Sequence, residues 1–110
     1  MIELTKLEEI VLIAIWNLRE DAYGVSIKKK VHELTGKEYF YNTLYTIFDQ
    51  LIRKEFIIKG FGEPTAVRGG KRKVFFRLTK KGQWALNDAF ERQCRIWAGF
   101  VKETFFRETV

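Results

Sequence analysis

The sequence predicts a mainly α fold of the α+β class: three short helices, a two-stranded hairpin and one long C-terminal helix. Three observations predict it. Apolar residues recur at helical spacing in four stretches. Two short runs rich in β-branched and aromatic residues, "EFIIKGF" and "KVFFRLT", flank a connection that holds Gly62, Pro64, Gly69 and Gly70. Around that connection, residues 64–86 carry seven basic side chains and no acidic one.

The elements follow in chain order. In "LTKLEEIVLIAIWNL", Leu4, Leu7, Val11, Ala14 and Leu18 form a stripe at spacings of three and four. Ile10, Ile13, Ile15 and Trp16 widen it to nearly the whole circumference. A helix apolar all round is buried on more than one side, and part of this one is expected to meet a partner chain. Thr5 and Glu8 fit a capping box. "DAYGVSIKKKVHELTG" reads as a turn and a second helix, with Ile27, Val31 and Leu34 on one face and Gly36 as the C-terminal stop. "YNTLYTIFDQLIRK" is a third helix with Leu44, Ile47, Phe48, Leu51 and Ile52 inward and Asn42 as expected N-cap. Its other face shows Thr43, Tyr45, Thr46, Asp49, Gln50 and Arg53. The two strands follow, with Val74, Phe76 and Leu78 on one face of the second and Phe75 and Arg77 on the other. From Lys80 to the end the chain reads as helix again, capped by Thr79. Its stripe of Leu86, Phe90, Cys94, Trp97, Val101 and Phe105 is coiled-coil-like.

Composition bounds the function. A chain of 110 residues with 46% hydrophobic and 31% charged residues is a globular class with one core. Ten Phe, four Tyr and three Trp are a heavy aromatic load, enough to serve an interface or a ligand as well as a core. The single cysteine, Cys94, cannot pair within the chain, which fits a reducing, cytoplasmic setting. The apolar run "IVLIAIW" is far shorter than the roughly 20 residues a membrane helix needs, and its acidic lead-in is unlike a secretory signal. The net charge of +6 is local: residues 1–63 sum to −1, residues 64–86 to +7 and residues 87–110 to zero. A solvated face mixes signs, so a local field of one sign points to a polyanion.

Three helices followed by a hairpin is the winged helix-turn-helix arrangement, in which the third helix enters the DNA major groove and a hairpin wing reaches flanking backbone. The expected division is residues 1–79 for DNA binding and 80–110 for a dimerisation helix. Arg68, Lys71, Arg72 and Lys73 are the expected wing contacts, since each phosphate neutralised releases counterions. Asn42, Thr43, Tyr45, Thr46 and Gln50 are the expected contacts of the third helix.

The stretches "AYGVSIKKKV", "NTLYTIFDQLIRKEFI" and "GGKRKVFFRLTKKG" resemble the PadR-like transcriptional regulators over roughly residues 5–86. The shared features are Tyr23-Gly24 opening the second helix, Thr43-Leu44-Tyr45 in the third, and a glycine-rich basic wing running into Leu78-Thr79-x-x-Gly82. Thr46 stands where the family usually has Pro, and Glu55 where it usually has Gly. The resemblance implies a homodimeric repressor on an inverted-repeat operator, with the C-terminal helix packed on the partner's N-terminal helix. The interface would then include Leu7, Val11, Leu86, Phe90, Trp97, Val101 and Phe105. Some members hold flat aromatic effectors between dimer-related tryptophans, which makes Trp16 and Trp97 candidate effector contacts.

Rival classes are weaker. One His and one Cys on different helices make neither a catalytic dyad nor a metal site, so no enzyme, cofactor or metal is expected. His32 reads as a surface residue, and Lys28, Lys29 and Lys30 as a mostly solvated run. "GFGEPT" lacks the third glycine of a dinucleotide loop. The basic residues lie on a hairpin rather than on an amphipathic helix, which disfavours a membrane surface. The alternative is a winged-helix protein-interaction or non-specific polyanion-binding module.

Overall fold

The computed structural model describes residues 3–62 and 73–108, with side chains described as far as Val101. Its elements are α1 (Lys6–Leu18), a single 3-10 turn (Arg19–Asp21), α2 (Gly24–Thr35), α3 (Tyr41–Arg53), β1 (Ile57–Phe61), β2 (Val74–Leu78) and α4 (Lys80–Glu108). β1 and β2 pair antiparallel from Ile57 opposite Leu78 to Phe61 opposite Val74. Arg68, Lys71 and Arg72 lie outside the described residues, as does the side chain of Phe105.

The caps follow local chemistry. The Thr5 hydroxyl accepts from the Glu8 amide at 3.2 Å, and Glu8 Oε1 accepts from the Thr5 amide at 2.8 Å, so the capping box forms. α2 ends at Gly36 in the left-handed region (φ 72°). The Gly82 amide donates to the Thr79 hydroxyl at 3.0 Å and starts α4. A Cβ at Gly82 would lie 2.1 Å from the Phe56 carbonyl oxygen, so only glycine lets α4 begin this close to the end of α3. α3 ends in a Schellman motif: the Phe56 amide donates to the Leu51 carbonyl and the Glu55 amide to the Ile52 carbonyl, both at 2.9 Å. Its left-handed position, φ 63°, is Glu55. This is the place where the family pattern has glycine.

The core is drawn from every element. Val11, Leu12 and Ile15 of α1 meet Ile27 and Val31 of α2, Leu44, Phe48 and Leu51 of α3, and Phe56, Ile57, Phe76 and Leu78 around the hairpin. α1 is central, with α2, α3, β2 and α4 all packed against it. That accounts for much of the apolar circumference, though Ile13 stays partly open and Trp16 exposed, and it corrects the reading of Val11. Val11 is 0% exposed inside the chain's own core and has no surface to offer a partner. Leu34 is also corrected: it is exposed near the end of α2, past the reach of the core.

One ion pair lies under the helices. Glu8 is 1% exposed and takes Lys54 Nζ on both carboxylate oxygens, at 2.9 and 2.7 Å. Burial alone would push the Glu8 carboxyl up. The Lys54 ammonium and the Thr5 amide outweigh it and hold the group below the ordinary carboxylate value. The start of α1 is thereby tied to the end of α3.

α4 packs on the core through Gly82, Ala85, Leu86 and Ala89. From Phe90 to Val101 none of its residues is buried. Its apolar stripe there is open, with Phe90, Ile96, Trp97, Phe100 and Val101 all exposed.

Candidate nucleic-acid interface

α3 presents its apolar face inward and a polar face outward. Asn42, Thr43, Tyr45 and Thr46 are exposed and Gln50 is half-buried. The expected N-cap role of Asn42 is corrected. The helix begins at Tyr41, its N-cap is Phe40, and no side chain caps it. The Asn42 side-chain amide therefore has no capping bond to make and stands one turn before Thr46. The Thr46 hydroxyl donates to the Asn42 carbonyl at 2.9 Å, which occupies it on the helix backbone. α3 runs unbroken through Thr46, the position where the family has Pro.

Tyr45 is half exposed, and its ring stands edge-on to Phe48 at 5.4 Å. A Cβ at Gly24 would lie 2.9 Å from the Tyr45 hydroxyl oxygen. The glycine that opens α2 is thus the seat of the Tyr45 hydroxyl, and two family motifs far apart in sequence meet at one contact. Tyr41 neighbours Tyr45 at 6.2 Å, and Lys28 Nζ lies 5.4 Å from the Tyr41 ring.

The hairpin is locked beside α3. The Phe76 amide donates to the Ala22 carbonyl at 2.8 Å, and Tyr23 bridges to Phe75, their rings meeting edge-on at 5.6 Å. Lys73 Nζ sits 4.1 Å from the centre of the Tyr23 ring. Between the start of α2, α3 and the hairpin lies an open cleft of about 330 Å³, lined among others by Tyr23, Tyr45, Asp49, Lys59 and Lys73. Of the four expected wing contacts, Lys73 is the one among the described residues, and it faces this cleft with α3. Lys59 was missed by sequence reasoning. Alternation places it on the same face of β1 as the buried Ile57 and opposite the buried Phe76, yet it is exposed there, so strand pattern gave no signal for it.

The other candidates lie away from this face. A second, mainly apolar groove of about 500 Å³ separates α1 from α4, lined by Ile13, Trp16, Trp84, Leu86 and Phe90 among others. Trp16 is 40% exposed and carries the Arg19 guanidinium over its ring at 4.2 Å. Leu7 is partly buried against the core. Trp97 lies two turns past Phe90 on α4, its Nε1 donating to Gln93 at 3.0 Å and its ring edge-on to Phe100 at 5.5 Å. Among the described residues, the grooves lined by Trp16 do not include Trp97. Among the described residues no cluster of His, Cys, Asp and Glu could hold a metal ion, and no helix is long and apolar enough to cross a membrane.

A three-helix unit with an outward third helix, a locked hairpin beside it and lysines lining the cleft between them defines the class: a winged-helix DNA-binding regulator. The chain matches the PadR-like family of transcriptional regulators over residues 11–88, and it belongs to that family. An uncharacterized protein of Lysinibacillus sphaericus is 33% identical over 92 residues, covering 82% of this chain and 80% of that one. Among solved structures, a complex of hsRosR-S1 is similar with a TM-score of 0.70 at 25% identity, covering 96% of this chain and 87% of that one. A PadR-like transcriptional regulator from Bacillus cereus has the same fold, with a TM-score of 0.70 at 17% identity and 90% of each chain covered.

Proposed function

We propose that this regulator is a cytoplasmic repressor that binds an inverted-repeat operator as a homodimer, without catalytic activity of its own. The observation that carries the reading is the unpartnered apolar stripe of α4, from Phe90 through Trp97 and Phe100 to Val101, beside the groove against α1. An isolated chain would expose that surface to water, and a second copy of this chain, its α1 against α4, is the economical cover. A two-fold pair presents two copies of α3, which calls for a symmetric site. On this reading residues 1–79 carry DNA contact and residues 80–110 carry dimerisation, with Leu7, Leu86, Phe90, Trp97, Val101 and Phe105 at the interface. Asn42, Thr43, Tyr45, Thr46 and Gln50 face the groove, while Arg68, Lys71, Arg72 and Lys73 take phosphates. A flat aromatic effector would find Trp16 in the α1–α4 groove and Trp97 further along the stripe.

Light scattering on the full chain tests the assembly. The reading expects twice the 13.1 kDa chain mass. Phe90→Arg with Trp97→Glu should return the monomer while leaving the helical signal of the domain in place. A monomeric wild type at micromolar concentration would overturn it.

A further inference from the structure

Phe40 is the most exposed large apolar side chain described, at 82%. It stands at the N-cap of α3, where Ser, Thr, Asp or Asn would have satisfied a free amide. The residue thus works against the free chain twice: it forgoes a capping bond and it holds a phenyl ring in water. At that exposure the ring contributes little to packing within the chain. Tyr39 before it packs on the core, so the chain's approach to α3 is already fixed. Breaks of local preference without a gain in the folded chain collect where a ligand supplies the gain.

The surroundings say which ligand. Phe40 lies at the end of α3 that carries Asn42, Thr43 and Thr46, the end at which a recognition helix meets base edges. The residues on either side of it in sequence carry cations on their own rings, Lys28 near Tyr41 at 5.4 Å and Lys37 near Tyr39 at 5.1 Å, with Lys28 also paired to Glu38 at 3.0 Å. In the major groove the one apolar group offered by the bases is the 5-methyl of thymine.

We propose that Phe40 is a specificity-determining residue whose ring packs on a thymine 5-methyl group in each half-site of the operator. The inference rests on the DNA-binding reading above and deepens it. It assigns part of the sequence preference to an apolar contact outside the polar face of α3.

The test uses the full chain and an operator selected from a random DNA pool. Each thymine is replaced in turn by deoxyuridine, which removes the methyl and keeps every hydrogen-bonding group. Wild type should lose about fourfold in affinity at one thymine position per half-site, the worth of one buried methyl, and roughly fifteenfold when both half-sites are changed. Phe40→Ala should bind the thymine operator more weakly and be indifferent to deoxyuridine at that position. Phe40→Ser adds a cap, so it should melt higher than wild type while showing the same indifference, which separates base contact from folding. Sensitivity to deoxyuridine that persists in both variants, or is absent in wild type, overturns the inference while leaving operator binding intact. A pool that enriches no sequence overturns the DNA-binding reading and this inference together.

Discussion

Removing the cation from the Glu8–Lys54 pair gives a prediction whose size follows from geometry. Lys54→Met keeps the aliphatic stem and deletes the ammonium. Glu8, 1% exposed, is left with the Thr5 amide as its remaining partner among the described residues. Charge-assisted hydrogen bonds of this kind contribute roughly 1.5–3 kcal/mol. Stranding a fully buried carboxylate costs more, but the Lys54 side chain is 30% exposed and water screens part of the pair. We expect a loss of about 2 kcal/mol at pH 7, read by urea unfolding at matched protein concentration. The pH dependence carries a second signature. The Glu8 carboxyl is held below its usual value of 4.5 in the folded chain. Its contribution is therefore complete above that value and is lost as pH falls through the lowered one. Glu8→Gln retains an oxygen for the Thr5 amide and should flatten this acid limb. The exposed Glu38, lowered by its bond to Lys28, keeps its own small slope in every variant. A loss under about 0.5 kcal/mol in Lys54→Met, with an unchanged acid limb in Glu8→Gln, would refute the assignment of this pair as the tie between α1 and α3.

Three further outcomes are expected. Glu55→Gly should stabilise the chain by up to roughly 1 kcal/mol in thermal melts, because Glu55 holds a left-handed backbone that glycine adopts freely. Gly82→Ala should destabilise by roughly 1–3 kcal/mol in urea, since the added methyl meets the Phe56 backbone carbonyl at 2.1 Å and neither side can rotate away. Replacing Lys71, Arg72 and Lys73 together with Ala should weaken operator and random DNA alike and reduce the salt slope by about 0.9 for each phosphate left without its cation, measured by titration across salt concentrations.

Much of the fold was legible because its elements carry their own periodicity. The inward faces of α3 and β2 and the caps at Thr5, Gly36 and Thr79 are local chemistry, and each lies where pattern places it. What escaped was set by distant partners. The residues of the Glu8–Lys54 pair are 46 positions apart, and no spacing rule links them. Val11 escaped because a stripe tells how much of α1 is apolar but not how many of the chain's own elements surround it. Asn42 draws the cap assignment because Asn is the better capping residue. The helix instead begins earlier, with the uncapped Phe40 at its boundary. The same break of local preference reveals Phe40, whose exposure no polar pattern would have flagged. The opposite holds for Glu55: the family pattern marks the site, and the positive φ explains why glycine is usual there.

The central claim is that two copies of α3, held together through α4 and the partner's α1, read a symmetric site. Selection from a random DNA pool tests it most directly. The account predicts an inverted repeat whose half-site centres lie about one helical turn, ~34–36 Å, or a multiple of it apart. Asn42→Ala, with no capping role to confound it, should relax preference at one position per half-site. A single asymmetric site, or enrichment of no sequence, would contradict it and leave a general polyanion binder.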